Sequence, residues 1–86
     1  MHEVVMYGTR FCPYCVRARM LLDKKNITYT YIPVDEQKEQ RAVMVNRSQR
    51  TSVPQIFIDD YHVGGCDELF ALESQGELDQ RLGISA

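Results

Sequence analysis

The sequence lacks the features that mark membrane and secreted proteins. Its 86 residues include no tryptophan, only three prolines, and no hydrophobic run near the roughly 20 residues that cross a bilayer. The first residues have neither the basic region nor the apolar stretch of a signal peptide, so we expect a cytoplasmic protein with no membrane contact. The net charge of −2 argues against nucleic acid as a partner.

Cysteine is also scarce. The chain has three cysteines, a low and odd number. A small secreted domain held together by disulfides would carry more of them, usually an even number. The sequence therefore fits a reducing compartment, where two cysteines close in sequence are catalytic or bind a metal.

Apolar patterning and turn residues divide the chain into alternating strands and helices within a single domain, residues 1–86. The expected strands are 4–7, 27–35, 55–58 and 61–63, and the expected helices are 15–25, 37–48 and 67–75, followed by a helical turn at Leu78 and Leu82. Pro13 suits the first position of a helix, and Asn26 and Gly76 suit helix ends.

Helical spacing indicates which side chains face the core. They are Ala18, Leu21 and Leu22 in the first helix, Ala42, Val43 and Val45 in the second, and Leu69, Phe70 and Leu72 in the third. The first strand–helix–strand unit should pair its strands in parallel through a right-handed crossover, whereas the last two strands form an antiparallel hairpin. The sequence therefore predicts an α/β fold with a four-stranded mixed sheet flanked by helices on both faces.

The most informative motif is Cys12-Pro13-Tyr14-Cys15. A disulfide between the two cysteines closes too small a loop to stabilise the fold much, so redox chemistry is the better use for the pair. The motif follows a strand and begins a helix, where free N–H groups and the helix dipole favour a thiolate. We therefore expect Cys12 to attack and the more covered Cys15 to resolve. Arg10 and Arg17 either add positive charge nearby or are solvated surface charges.

A metal site is the alternative use of the cysteines. Structural zinc usually has four ligands, and only His62 and Cys66 remain as partners for Cys12 and Cys15. Two unrelated buried cysteines are a further alternative, which the strand–motif–helix context disfavours.

Two further motifs contain proline or glycine residues that shape the backbone beside polar side chains. Pro54 begins a strand, and its peptide bond is either an ordinary trans bond or a cis bond that would leave the Val53 backbone free to pair with an extended peptide. In Gly64-Gly65-Cys66-Asp67, the glycines allow a ligand to approach the backbone. Asp67 either caps the next helix or accepts a ligand ammonium, and Cys66 is either a small apolar filler or a semi-exposed thiol.

Together, and in this order, the three motifs resemble the glutaredoxin family over residues 4–82, in particular its small bacterial dithiol members. The resemblance implies a thioredoxin fold and thiol–disulfide exchange with glutathione as the reductant and no metal. It implies that Cys12 is the nucleophile and Cys15 the resolving thiol.

The resemblance also implies a glutathione site. Its residues would be Arg10, Tyr14, Ser52, Val53, Pro54, Gly65, Cys66 and Asp67. Val53 would pair with the cysteinyl part of glutathione beside cis-Pro54, and Asp67 would face the γ-glutamyl end with Ser52 and Cys66. Many members carry a basic residue where this chain has Thr9, so the glycyl carboxylate would meet Arg10, Arg41 or Arg47 instead.

The implied substrates are glutathione mixed disulfides and disulfide-containing or glutathionylated proteins, with ribonucleotide reductase among the candidates, and a monomer is expected. One alternative is a redoxin reduced by thioredoxin reductase. Another is an iron–sulfur carrier in which two chains and two glutathiones hold a cluster through Cys12, and the stiff Pro13 turn counts against it.

Overall fold

The computed structural model describes residues 2–84, in which four strands alternate with four helices. In chain order the elements are β1 (Val4–Gly8), α1 (Pro13–Lys24), β2 (Thr30–Pro33), α2 (Lys38–Ser48), β3 (Gln55–Ile58), β4 (Tyr61–Gly64), α3 (Cys66–Ser74) and α4 (Leu78–Leu82). Every predicted element is present, and α1 and α3 begin one or two residues earlier than predicted. Within residues 2–84, no helix is long and apolar enough to cross a membrane.

The strands form one mixed sheet in the order β2-β1-β3-β4. β1 runs parallel to β2 and antiparallel to β3, and β3 pairs with β4 in an antiparallel hairpin. The predicted parallel first unit and the predicted hairpin are both confirmed. Because β1 has a partner on each side, the loop that follows Gly8 starts from a fixed point in the middle of the sheet.

Each face of the sheet has its own hydrophobic cluster. The first cluster joins the sheet to α1, α3 and α4, and its largest fully buried side chains are Met6, Leu22, Ile56, Leu69 and Leu78. The second joins the sheet to α2 and contains Tyr7, Val34, Met44 and Phe57. Helices therefore cover both faces of the sheet, as predicted.

The prediction for the inner face of α2 is confirmed only for Val45, which is half-buried and packs against the second cluster. The side chains expected inside are exposed or half-buried: Ala42, Val43 and Val45. The buried residues of this helix are Met44 and Ser48. Part of the sheet is instead covered by Arg47, whose guanidinium carbon lies 4.0 Å from the centre of the Phe57 ring. A charged side chain with a long apolar stem can cover an aromatic ring, which a choice by apolar residue type misses.

β2 is shorter than the predicted strand 27–35. It pairs with β1 only over Thr30–Pro33. Ile27 and Tyr29 precede the strand but still pack against the first cluster, and Val34 is buried in the second. A run of β-branched and aromatic residues reports burial as much as strand pairing, so the composition overestimates the strand.

Candidate active site

Cys12 lies directly before the first residue of α1. Pro13 occupies the first helical position, and the Cys12 backbone is extended while its carbonyl accepts the Val16 N–H at 3.1 Å. The N–H groups of a first helical turn have no partner within the helix and can hydrogen-bond an anion. The structure therefore puts the Cys12 sulfur at the helix start, where the sequence predicts the nucleophile.

The two thiols of the motif differ in exposure. Cys12 is half-buried, whereas Cys15, one turn into α1, is 1% exposed and belongs to the first hydrophobic cluster. A disulfide in another protein can approach Cys12 but not Cys15. This difference matches the predicted roles of an attacking and a resolving thiol.

Cys15 is held in a tight environment beneath β1. Burial raises the pKa of the Cys15 thiol to about 11, although hydrogen bonds from the backbone and side chain of Thr9 act in the opposite direction. A β-carbon placed on Gly8 would lie 3.0 Å from the Cys15 sulfur and 3.0 Å from Cε1 of Tyr31. The absence of a side chain at Gly8 is therefore what leaves room for the Cys15 thiol.

The loop before β3 lies next to Cys12. The Val53–Pro54 peptide bond is cis, and the Cys12 sulfur lies 3.9 Å from the Val53 carbonyl oxygen. Among the described residues, the Val53 N–H donates no hydrogen bond. Val53 therefore presents an unpaired backbone group beside the thiol, as expected for the cis alternative.

A groove of about 250 Å³ opens next to this contact. It is lined by Tyr14, Arg50, Ser52, Val53, Pro54, Gln55, Gly65, Cys66, Asp67 and Glu68. The structure thus brings together the predicted ligand residues from α1, the Val53 loop and the start of α3, with the exception of Arg10. Cys66 is buried, and burial raises the pKa of its thiol, which fits the filler alternative for this side chain.

Arg10, which the resemblance places in the ligand site, does not line this groove. Its side chain approaches Asp35 at 3.7 Å and Glu36 at 3.9 Å, in the turn after β2. Of the other candidates, Arg47 donates to the Tyr7 hydroxyl at 3.1 Å, and Arg41 donates to the carbonyl that precedes Ser52 at 3.5 Å.

Sequence reasoning gave Arg50 no place in the ligand site and missed Glu68. Glu68 Oε1 accepts the Gly65 N–H at 2.6 Å and lies 3.3 Å from an Arg50 nitrogen. The Gly65 N–H, and then Arg50, lower the pKa of the Glu68 carboxyl. Glu68, not Asp67, therefore caps the start of α3, and Asp67 stays exposed at the rim of the groove. A glutamate at the third helical position is the spacing of a capping box, which is the signal that could have found it.

Gln55, which lines the groove, forms a polar pair with His62. Gln55 is fully buried, its Oε1 lies 2.7 Å from His62 Nε2, and its Nε2 donates to the Ser52 carbonyl at 3.0 Å and to the Ser52 hydroxyl oxygen at 3.3 Å. His62 is therefore engaged away from the cysteines. Within residues 2–84, no three His, Cys, Asp or Glu side chains are grouped so that they could hold a metal ion.

Comparison with known proteins identifies the family. The family model described as Glutaredoxin matches residues 4–63. The chain is 48% identical to glutaredoxin 3 of Escherichia coli K12 over 82 residues, which is 95% of this chain and 99% of the relative. The chain belongs to the glutaredoxin family. Residues 4–63 include the cysteine pair, the cis-proline loop and all of the β3–β4 hairpin except Gly64, whereas the groove residues at the start of α3 lie beyond the match.

Solved glutaredoxins have the same architecture. The solution structure of a glutaredoxin from Brucella melitensis is 44% identical, covers 100% of this chain and 96% of its own, and superposes with a TM-score of 0.81. A buckwheat glutaredoxin solved as its glutathione complex is 26% identical, with a TM-score of 0.86 over 98% of this chain and 83% of its own. This glutaredoxin thus has the thioredoxin fold and is a thiol–disulfide oxidoreductase, as the resemblance implies.

Proposed function

We propose that this glutaredoxin reduces protein disulfides and glutathione mixed disulfides through Cys12 and Cys15, with glutathione as the reductant. The observation that supports this most is the continuity of the site. The Cys12 sulfur lies 3.9 Å from the Val53 carbonyl, and Val53 lines a groove that continues to the N-terminus of α3. A buckwheat relative of the same fold was solved as a glutathione complex.

The groups around this groove suit a short peptide with two carboxylates and an ammonium. The free N–H of Val53 and its carbonyl, which faces the Cys12 thiol, fit an extended backbone. The N–H groups at the start of α3 fit one carboxylate. The exposed Asp67 fits the ammonium, and Tyr14, whose side chain is 55% exposed, flanks the peptide. For the second carboxylate we propose Arg41, since it donates to the carbonyl of Thr51, next to the loop.

In the dithiol route, the Cys12 thiolate attacks one sulfur of a substrate disulfide, and the other sulfur leaves as a thiolate that takes up a proton. Cys15 then loses its proton and attacks the Cys12 sulfur, which forms the Cys12–Cys15 disulfide and releases the substrate as a thiol. Two glutathione thiols reduce this disulfide in succession, and glutathione disulfide is released.

In the monothiol route, the Cys12 thiolate takes the glutathionyl group from a glutathionylated protein and releases the protein thiol. A second glutathione attacks the mixed disulfide, so glutathione disulfide forms and the Cys12 thiolate returns. Cys15 is not required in this route. A Cys15→Ser variant should therefore keep turnover of a small glutathione mixed disulfide but lose reduction of a protein disulfide.

The proposed partners are disulfide-containing and glutathionylated proteins of the cytoplasm, with ribonucleotide reductase as one candidate, and the proposed working form is a monomer. Two exposed aromatic side chains flank Cys12, namely Phe11 at 87% and Tyr14 at 55% exposure. They offer apolar contact to a protein substrate beside the reacting sulfur.

The test is turnover of a small glutathione mixed disulfide, coupled to glutathione, glutathione reductase and NADPH. Wild type should be active, and Cys12→Ser should reduce the rate to that of the uncatalysed exchange. Turnover with thioredoxin reductase but not with glutathione would instead show that the protein is a redoxin reduced by thioredoxin reductase. Full activity in Cys12→Ser would contradict the proposed nucleophile.

A further inference from the structure

The hydrogen bonds of the buried Gln55 have a fixed direction. Gln55 is fully buried at the start of β3, and a buried side-chain amide must satisfy both its oxygen and its nitrogen. One end of the amide faces the Ser52 backbone carbonyl at 3.0 Å. A carbonyl can only accept, so that end is the Nε2 donor, and the oxygen must face His62.

The direction of the next bonds follows. Because Gln55 Oε1 is the acceptor, His62 Nε2, at 2.7 Å, must carry a hydrogen. The His62 ring is held in place by stacking on Phe57, with ring centres 4.8 Å apart and planes at 23°. Burial, and then the positive charge of Arg50, lower the pKa of His62, so the neutral ring with hydrogen on Nε2 is the form present near neutral pH.

At the other end, Ser52 is left as a donor. Gln55 Nε2 donates to the Ser52 hydroxyl oxygen at 3.3 Å, so this hydroxyl accepts from Gln55 and keeps its own hydrogen. Within residues 2–84, the Ser52 hydroxyl donates to no protein group, and its side chain is exposed on the wall of the groove. A donor in this position suits a ligand carboxylate or amide carbonyl.

We propose that His62, Gln55 and Ser52 form a directed hydrogen-bond chain that holds the Ser52 hydroxyl as a donor to an acceptor on the bound glutathionyl group. His62 and Gln55 are positioning residues in this chain, because neither needs to touch the ligand. The inference rests on the proposed function, since it concerns recognition of the same substrate.

The test compares the kinetics of Gln55→Met and Ser52→Ala, alone and combined, with a glutathione mixed disulfide as the varied substrate. Loss of one neutral hydrogen bond should raise KM about three- to tenfold in each single variant and leave kcat within about twofold. The double variant should show no further rise, because both changes remove the same bond to the ligand. Ser52→Thr, which keeps a hydroxyl, should restore the wild-type KM.

Two further variants keep this test decisive. Gln80→Met is the matched control, since Gln80 is an exposed glutamine on α4 and its loss should leave KM unchanged. If Gln55→Met does not fold, His62→Phe takes its place, because it keeps the stacking ring but has no N–H donor.

Two outcomes would contradict the proposed hydrogen-bond chain of His62, Gln55 and Ser52. If the Gln55 or His62 variant raises KM as much in the Ser52→Ala background as in wild type, these residues act only through the fold. If the single variants leave KM unchanged, Ser52 is not held as a donor to the ligand. If the wild-type protein does not reduce the mixed disulfide with glutathione, the proposed function itself is wrong, and so is recognition of glutathione by Ser52.

Discussion

Gly8→Ala tests the tight environment of the resolving thiol, because two effects of this change have opposite signs. An alanine that fits at a glycine position stabilises a protein by about 0.4–1 kcal/mol, since it restricts the unfolded chain. At Gly8, however, the new methyl carbon would lie 3.0 Å from the Cys15 sulfur, 3.0 Å from Tyr31 Cε1 and 3.3 Å from the Tyr31 hydroxyl oxygen.

The backbone at Gly8 cannot easily shift to relieve these contacts. Gly8 pairs with Pro33 of β2, and its carbonyl accepts the Val34 N–H at 2.9 Å. Overpacking of this kind costs about 1–3 kcal/mol, which exceeds the gain from the unfolded state. We expect the midpoint of thermal unfolding under reducing conditions to fall by about 5–15 °C, since 1 kcal/mol shifts a domain of this size by about 4–8 °C.

The same change should slow the dithiol route, because Cys15 must move away from the new methyl group. The assay is thermal unfolding followed by circular dichroism, together with the rate at which a protein disulfide is reduced. In a Cys15→Ala background the sulfur is gone, so the cost of Gly8→Ala should shrink to that of the Tyr31 contacts. An unchanged or higher melting temperature for Gly8→Ala would refute the steric reasoning.

Two other predictions concern stability. Lys25 Nζ lies 2.7 Å from both the Glu73 and the Asp79 carboxylate, so it joins the end of α1 to α3 and α4. Lys25→Met should therefore lower the free energy of unfolding by about 1–3 kcal/mol, as measured by denaturant titration. Because burial raises the pKa of Cys15 from 9.0 to about 11, the unfolded chain ionises there first. Stability should therefore fall as pH rises from about 9 to 11, and Cys15→Ser should reduce this fall; equal slopes would contradict the assignment.

The order of the elements could be predicted because each carries a local signal. Pro13 marks the start of α1, and the Asp59-Asp60 turn separates β3 from β4, as the structure confirms. The exact extent of β2 and the inner face of α2 could not be predicted. Both depend on tertiary contacts, namely the register of β2 against β1 and the stacking of Arg47 on Phe57.

The residues of the candidate site also divide into those that the sequence could predict and those that it could not. Cys12, Val53 and Asp67 lie in short motifs and could be found from the sequence, although the cis bond before Pro54 could only be stated as an alternative. The role of Gln55 could not be predicted, because it depends on three contacts with residues in a loop and in another strand. A polar residue at the start of an apolar strand gives no sign of being fully buried and paired.

The difference in burial between the two thiols follows from where the helix begins. Pro13 starts α1, so Cys12 stays outside the helix while Cys15 is carried one turn in and is covered to 1% exposure. Because Cys12 is the more exposed thiol, it is the one that a protein disulfide can reach. Burial raises the pKa of Cys15, so Cys15 must first lose a proton before it can attack. Arg10 lies 3.7 Å from Asp35 and does not line the groove. We therefore expect Thr9 to affect how a ligand carboxylate is held, and not the proposed order of attack by Cys12 and resolution by Cys15.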